Sequence, residues 1–381
     1  MSRFLLVVPP LTGHLAPLRQ VAARLVTRGH HVVWAGAGPW LREHLGDAAT
    51  VHDCVPPSFP VAARPPGLRG VAALRFLVEE FLQPLAAAML PGVRAAIAHH
   101  RPDVVVADQQ TWAGAYAAAE AGLPWATSAS TSAELCDPYP PNVHDWLRGR
   151  FTHQRWVADP RMSPHLILAF SVPALAGPAG APPAVRWIGP APQDDPGTWT
   201  PPWPTGKPLA LVTLGTQSTG TGARFLRECA AALAARPGLN AVIADPGRVA
   251  GQCPATIHVT PWVPQQAVLR HAALVICHGG HNTVTESLWH GLPLVVAPIR
   301  DDQTIVASQV VNAGAGVRLR FAHATAAHIG AAVDAVLTDP GYARAAARIR
   351  EAFRAAGGAD EAAAHLESLV PRSLLTPEVP R

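Results

Sequence analysis

Residues 273–293 read ALVICHGGHNTVTESLWHGLP. The apolar run 274–277 is the mark of a strand buried on both faces, and the polar-apolar pattern that follows Asn282 or Thr283 is that of a helix. Between them lie a histidine and two glycines, which let backbone approach a ligand closely. A helix that starts there presents free N–H groups and the positive end of its dipole, which suits a phosphate. The alternative reading is local: Asn282 or Thr283 is an ordinary N-cap, and Thr283 with Glu286 has capping-box spacing.

The same strand-turn-helix unit recurs on both sides. LALVTLGT (209–216), a helix from about Gly222, LNAVIAD, ATIHVTPWVPQ, LPLVVAPI and AGVRL build one open α/β region. RFLLVVPP, a helix in LAPLRQVAARLVTRG stopped by Gly29, HHVVWAG, DVVVAD (103–108), a helix through TWAGAYAAAEAG and LPWATSAS build another. Strands separated by helices imply parallel sheets. Between Ser171 and Pro208 lie eleven prolines, a density that no central strand or packed helix tolerates. The expected fold is therefore two doubly wound, Rossmann-like domains, residues 1–190 and 207–357, joined by a proline-rich linker at 191–206. Residues 358–381 would be a terminal helix and tail packing back on the first domain. Ligands of such folds bind at the carboxyl ends of the strands.

Composition removes several classes. Hydrophobic residues are 49% and charged residues 15%, which argues against disorder. The net charge of +4 comes from scattered arginines with no basic run, so nucleic acid is not an expected partner. Five cysteines, odd in number and without C-x-x-C spacing, read as free thiols in a reducing cytoplasm. No run approaches the roughly 18 apolar residues of a membrane span, so no stable membrane insertion is expected.

Around the opening stretch, three binding functions follow in order. WVPQ (262–265) places an indole after a strand, where it can stack on a base. The histidine-glycine turn would hold phosphates, and RDDQ (300–303) offers a carboxylate and an amide to vicinal hydroxyls. That is the order of parts in a nucleotide sugar.

These residues resemble the nucleotide-sugar-dependent glycosyltransferases of the two-domain GT-B fold, in the group that modifies small lipophilic molecules. The resemblance rests on linked spacings: a Trp-x-Pro-Gln box, a glutamate eight residues after the histidine, and Asp-Gln sixteen and seventeen after that glutamate. It implies that Trp262 stacks on the base, that backbone at Val263 reads its edge, that Gln265 belongs to the donor site, and that Glu286 takes the two ribose hydroxyls. His278, Gly280, Asn282, Thr283 and Thr216 would surround the diphosphate, and Asp302 and Gln303 the sugar. Gly279 and His281 stand where the plant version of the box has cysteine and tryptophan, which bears on the sugar face. A carboxylate bridging both ribose hydroxyls favours UDP over dTDP.

The resemblance also supplies a catalytic pair. GHLAP places His14 and Pro17 after the first strand, and Asp108 ends the strand DVVVAD. An imidazole titrating near neutrality can accept the acceptor hydroxyl's proton, and a carboxylate can hold its tautomer. The alternatives are an exposed loop histidine and a helix N-cap. The implied reaction is a single inverting displacement, with the helix N-terminus and His278 assisting departure of the diphosphate, and neither metal nor cofactor is expected. Trp112 and Trp125, like Trp146 and Trp156, are either core or the lining of a pocket for a hydrophobic acceptor.

Rival readings have specific requirements. A dinucleotide oxidoreductase needs a glycine fingerprint after the first strand, which PPLTGHLAP lacks. A nucleotide-sugar epimerase or hydrolase on the same fold has no use for the Gly-His-x-x-Pro turn. A non-catalytic nucleotide-sugar-binding helper would be free to lose His14, Glu286 or Gln303. A lipid-linked transferase of cell-wall synthesis would carry a longer glycine-rich first turn.

Overall fold

The computed structural model describes residues 1–371 except 57–64, 66, 67, 69, 137, 138, 154, 178, 179, 196, 205 and 216–221. The chain divides into two compact units. The first comprises Met1–Phe170, Gly180–Ala191 and Ala356–Arg381, and the second Ser171–Ala179 and Pro192–Ala355.

Among the described residues the first unit holds seven parallel strands: β1 (Arg3–Val7), β2 (His31–Gly36), β3 (Thr50–Asp53), β4 (Val104–Asp108), β5 (Trp125–Ala129), β6 (Leu166–Ala169) and β7 (Val185–Trp187). Their order is β3-β2-β1-β4-β5-β6-β7. The described residues of the second unit hold six: β8 (Leu209–Thr213), β9 (Asn240–Ala244), β10 (Ile257–Thr260), β11 (Leu274–Cys277), β12 (Leu294–Val296) and β13 (Gly316–Arg318), in the order β10-β9-β8-β11-β12-β13. Every residue of β4, β5, β8 and β11 is buried, as expected for strands covered by helices on both faces. In each unit the strand order reverses direction once, between β1 and β4 and between β8 and β11, and such switch points open a crevice at the carboxyl ends.

The first helix, Thr12–Thr27, begins three residues earlier than its apolar spacing suggests. Leu11 is extended at φ −131° and its carbonyl accepts the N–H of Leu15, which places His14 in the first helical turn instead of a loop. Gly29, at φ +84°, ends the helix in a conformation that favours glycine.

A helical stretch over Gly70–His100, with a π-helical turn at Leu77–Leu82, is the one span among the described residues long and apolar enough to cross a membrane. It is a core element: Leu85, Ala86, Met89, Val93 and Ala96 are buried in the same cluster as Val105 of β4.

The terminal helix Gly358–Ser368 buries Ala359, Ala362, Ala363 and Leu366 in a cluster with Leu18, Val21 and Leu25 of the first helix. Arg24 pairs with Asp360 at 3.1 Å and Arg28 with Glu367 at 3.0 Å. Exposed pairs of this kind contribute under about 1 kcal/mol each, whereas burying one leucine side chain contributes roughly 1.5–3 kcal/mol. Apolar packing therefore holds the helix in place. In the proline-rich stretch, the Trp203 indole donates to the Ala255 carbonyl at 2.6 Å, so this part of the segment lies on the second unit.

Candidate active site

In the second unit the turn after β11 is built by glycine. Gly279 sits at φ +81°, which turns the chain at once, and extended Gly280 becomes the N-cap of the helix His281–Trp289. The helix thus starts before the Asn282 or Thr283 expected from sequence, and the cap makes no side-chain hydrogen bond. Glu286 lies in the second turn, so the capping-box reading of Thr283 and Glu286 is set aside. His281, Asn282 and Thr283 form the first turn, so the positive end of the helix dipole lies at their N–H groups.

His278 is buried between two glycines. A Cβ on Gly280 would lie 2.4 Å from its Nε2, and one on Gly215 would lie 2.8 Å from its Cε1. Its Nδ1 has no hydrogen-bond partner among the described residues. Burial pushes its pKa down to about 4, so the ring is neutral near pH 7 and donates one N–H. Thr216 lies outside the described residues.

A stability prediction follows from this histidine. Between pH 6.5 and about 4 the unfolded chain binds a proton that the folded ring refuses, so stability falls as pH drops through that window. From pH 7 to 4.5 the wild type should lose about 2–3 kcal/mol more than His278→Asn, at 1.36 kcal/mol per pKa unit. Urea unfolding at both pH values measures it, and equal losses would refute it.

Trp262 follows β10 with 72% of its surface exposed, an unusual state for an indole, while Val263 is buried. Gln265 opens the helix Gln265–Leu269 and donates from Nε2 to Glu286 Oε2 at 2.7 Å. The neighbouring Gln266, which the sequence did not single out, donates to Oε1 at 3.3 Å. Burial raises the Glu286 pKa, and the two amides oppose that rise. The tryptophan box and the glutamate follow β10 and β11, which two other strands separate.

After β12 the chain is tightly turned, with Asp301 in the left-handed region at φ +53°. Asp302 is the N-cap of the helix Gln303–Asn312. Gln303 folds back so that Oε1 accepts the N–H of Ile299 at 2.9 Å and of Arg300 at 3.0 Å. Two backbone donors identify that atom as oxygen, so the end of Gln303 suited to a further partner is its donating Nε2.

In the first unit, β1 and β4 are neighbours, and their carboxyl ends bring His14 and Asp108 together: Nδ1 lies 2.9 Å from Asp108 Oδ1. Asp108 is 1% exposed, its Oδ1 also accepts the Gln110 N–H at 2.9 Å, and its Oδ2 has no partner among the described residues. A third group was not foreseen. Ser130, just past β5, places Oγ 2.7 Å from the same Nδ1. Because an ionised carboxylate only accepts, Nδ1 carries the proton and Ser130 Oγ accepts a share of it. Ser130→Ala should lower turnover by roughly 2- to 10-fold, the equivalent of one neutral hydrogen bond; unchanged steady-state kinetics would remove Ser130 from the site.

Trp112 and Trp125 are 1% and 2% exposed within the main core of this unit, Trp112 edge-on to Phe151 at 5.3 Å. The core reading of these two residues replaces the pocket-lining one, because a ring with no accessible face cannot touch an acceptor. A hollow of about 530 Å³ is instead lined by Pro65, Leu68, Val71, Ala72 and Phe76, with Arg75, Glu79 and Glu80 at its polar side. It lies at the start of Gly70–His100, which leads from β3 towards β4.

The family described as UDP-glucoronosyl and UDP-glucosyl transferase matches residues 207–354. The chain is 28% identical over 425 residues to 4'-demethylrebeccamycin synthase of Lentzea aerocolonigenes, covering 97% of this chain and 100% of that protein. Its structure is similar to that of the glycotransferase of kitacinnamycin, with a TM-score of 0.76 and 26% identity over 97% of this chain and 99% of the other. It is likewise similar to spinosyn rhamnosyltransferase SpnG complexed with thymidine diphosphate, with a TM-score of 0.76 and 25% identity over 97% and 100%. Two parallel sheets of matching topology, the linked spacings from Trp262 to Gln303 and these likenesses agree: the chain is an enzyme, a nucleotide-sugar glycosyltransferase of the GT-B fold.

Proposed function

We propose that the chain moves a hexose from a UDP-sugar to a hydroxyl of a small hydrophobic natural product, with inversion at the anomeric carbon and His14 as general base. The observation that carries this reading is the 2.9 Å contact between His14 Nδ1 and the buried Asp108. With the proton on Nδ1, Nε2 presents a lone pair. The acceptor oxygen attacks the anomeric carbon as its proton passes to Nε2, and the bond from that carbon to the diphosphate breaks. Asp108 stabilises the imidazolium that forms.

Departing charge falls to the helix N-terminus at His281–Thr283, with its positive dipole end, and to neutral His278, an arrangement that needs no metal. Trp262 stacks on the base, Val263 backbone reads it, and Gln265 with Glu286 takes the ribose hydroxyls. Asp302 and Gln303 Nε2 hold the hexose. The apolar hollow beside Phe76 suits the acceptor.

A thymidine diphosphate sugar is the second reading, favoured by the nucleotide in the spinosyn rhamnosyltransferase complex. Calorimetric titration with UDP tests the donor site: Glu286→Ala should weaken binding roughly tenfold or more, as expected for lost hydrogen bonds to a charged group. Absence of UDP and dTDP binding to the wild type would overturn the donor assignment. The anomeric configuration of the product, read by NMR, tests inversion.

A further inference from the structure

We propose that Gln266 makes the ribose pocket tolerant of a missing 2′-hydroxyl, so that ribose and 2′-deoxyribose nucleoside diphosphate sugars both serve as donors. The proposal rests on the reading of Glu286 as the ribose carboxylate. A buried carboxylate that takes both hydroxyls of a ribose ordinarily rejects the deoxy compound, because one oxygen then loses its donor. In this protein the carboxylate does not depend on the ligand for both donors. Gln265 Nε2 serves Oε2 at 2.7 Å and Gln266 Nε2 serves Oε1 at 3.3 Å.

The longer of the two bonds is the one suited to exchange. The Gln266 side chain borders a hollow of about 230 Å³ that it shares with Pro192, Arg270, Trp289 and His290. It therefore has room to yield Oε1 to a 2′-hydroxyl and to return when none is present. Glu286 stays paired in either complex, which removes the usual penalty against deoxyribose.

The test is calorimetric titration of the full chain with UDP and 2′-deoxy-UDP, which differ only in the 2′-hydroxyl. Wild type should bind the two within about threefold of each other, whereas Gln266→Met, of similar length but without a donor, should weaken 2′-deoxy-UDP roughly tenfold more than it weakens UDP. Retained UDP binding shows that the variant is folded, and Gln266→Leu provides an independent second variant. A wild type that already prefers UDP tenfold, or an unchanged ratio in both variants, overturns the proposal while leaving the donor site intact. Failure of the wild type to bind either nucleotide overturns the donor-site reading and this proposal with it.

Discussion

Replacing His14 by alanine is expected to lower kcat for sugar transfer by roughly 10²- to 10⁴-fold, the range that a positioned general base contributes. The acceptor hydroxyl has a pKa far above 7, so without Nε2 its proton must leave to water while the oxygen attacks. Binding of UDP should be unchanged, because the nucleotide contacts proposed above lie at residues 262–303 of the second unit and His14 belongs to the first. Steady-state kinetics with calorimetry on the same preparation separates the two effects. Turnover within about tenfold of wild type would falsify the assignment of the base. A parallel loss of UDP binding would point to a folding defect, which Ser130→Ala helps to distinguish because it leaves the imidazole in place.

The second large effect is expected at Asp108. Asp108→Ala removes both the charge and the acceptor that hold His14, and kcat should fall on the order of 10²-fold or more, as in other carboxylate-histidine pairs. Asp108→Asn separates the two contributions. The Gln110 N–H already donates to Oδ1, so the amide oxygen of asparagine will occupy that position and still accept from Nδ1. The tautomer is then retained and only the stabilisation of the imidazolium is lost, which makes the asparagine variant less damaged than the alanine one. The double variant His14→Ala with Asp108→Ala should be no slower than His14→Ala alone, since residues that act as a unit are not additive. Additive losses would show that Asp108 acts independently of the histidine.

The local units were legible in the sequence because parallel strands, covered on both faces, leave uninterrupted apolar runs such as DVVVAD and LVIC, and each run is followed by a turn and a helix. The spacing from His278 to Glu286 to Gln303 was legible only through the resemblance to a known family. Helix starts were less so. The helix after β11 begins at His281 because Gly279 adopts φ +81° and Gly280 takes the cap, choices that polar residues downstream do not reveal.

Tertiary structure alone decided which runs became neighbours. β1 pairs with β4 and β4 with β5, so His14, Asp108 and Ser130 meet although 94 and 116 residues separate the histidine from its partners. Residues after β10 and β11 reach each other across the sheet end, which is how Gln265 and Gln266 close on Glu286. Tryptophan identity did not distinguish the buried Trp112 and Trp125 from the exposed Trp262, because an indole serves equally as core and as a stacking surface. Sequence therefore determined what each strand end carries, through the period and run length of apolar residues. The order of strands, set by long-range packing that leaves no local trace, decided which of those ends share a site.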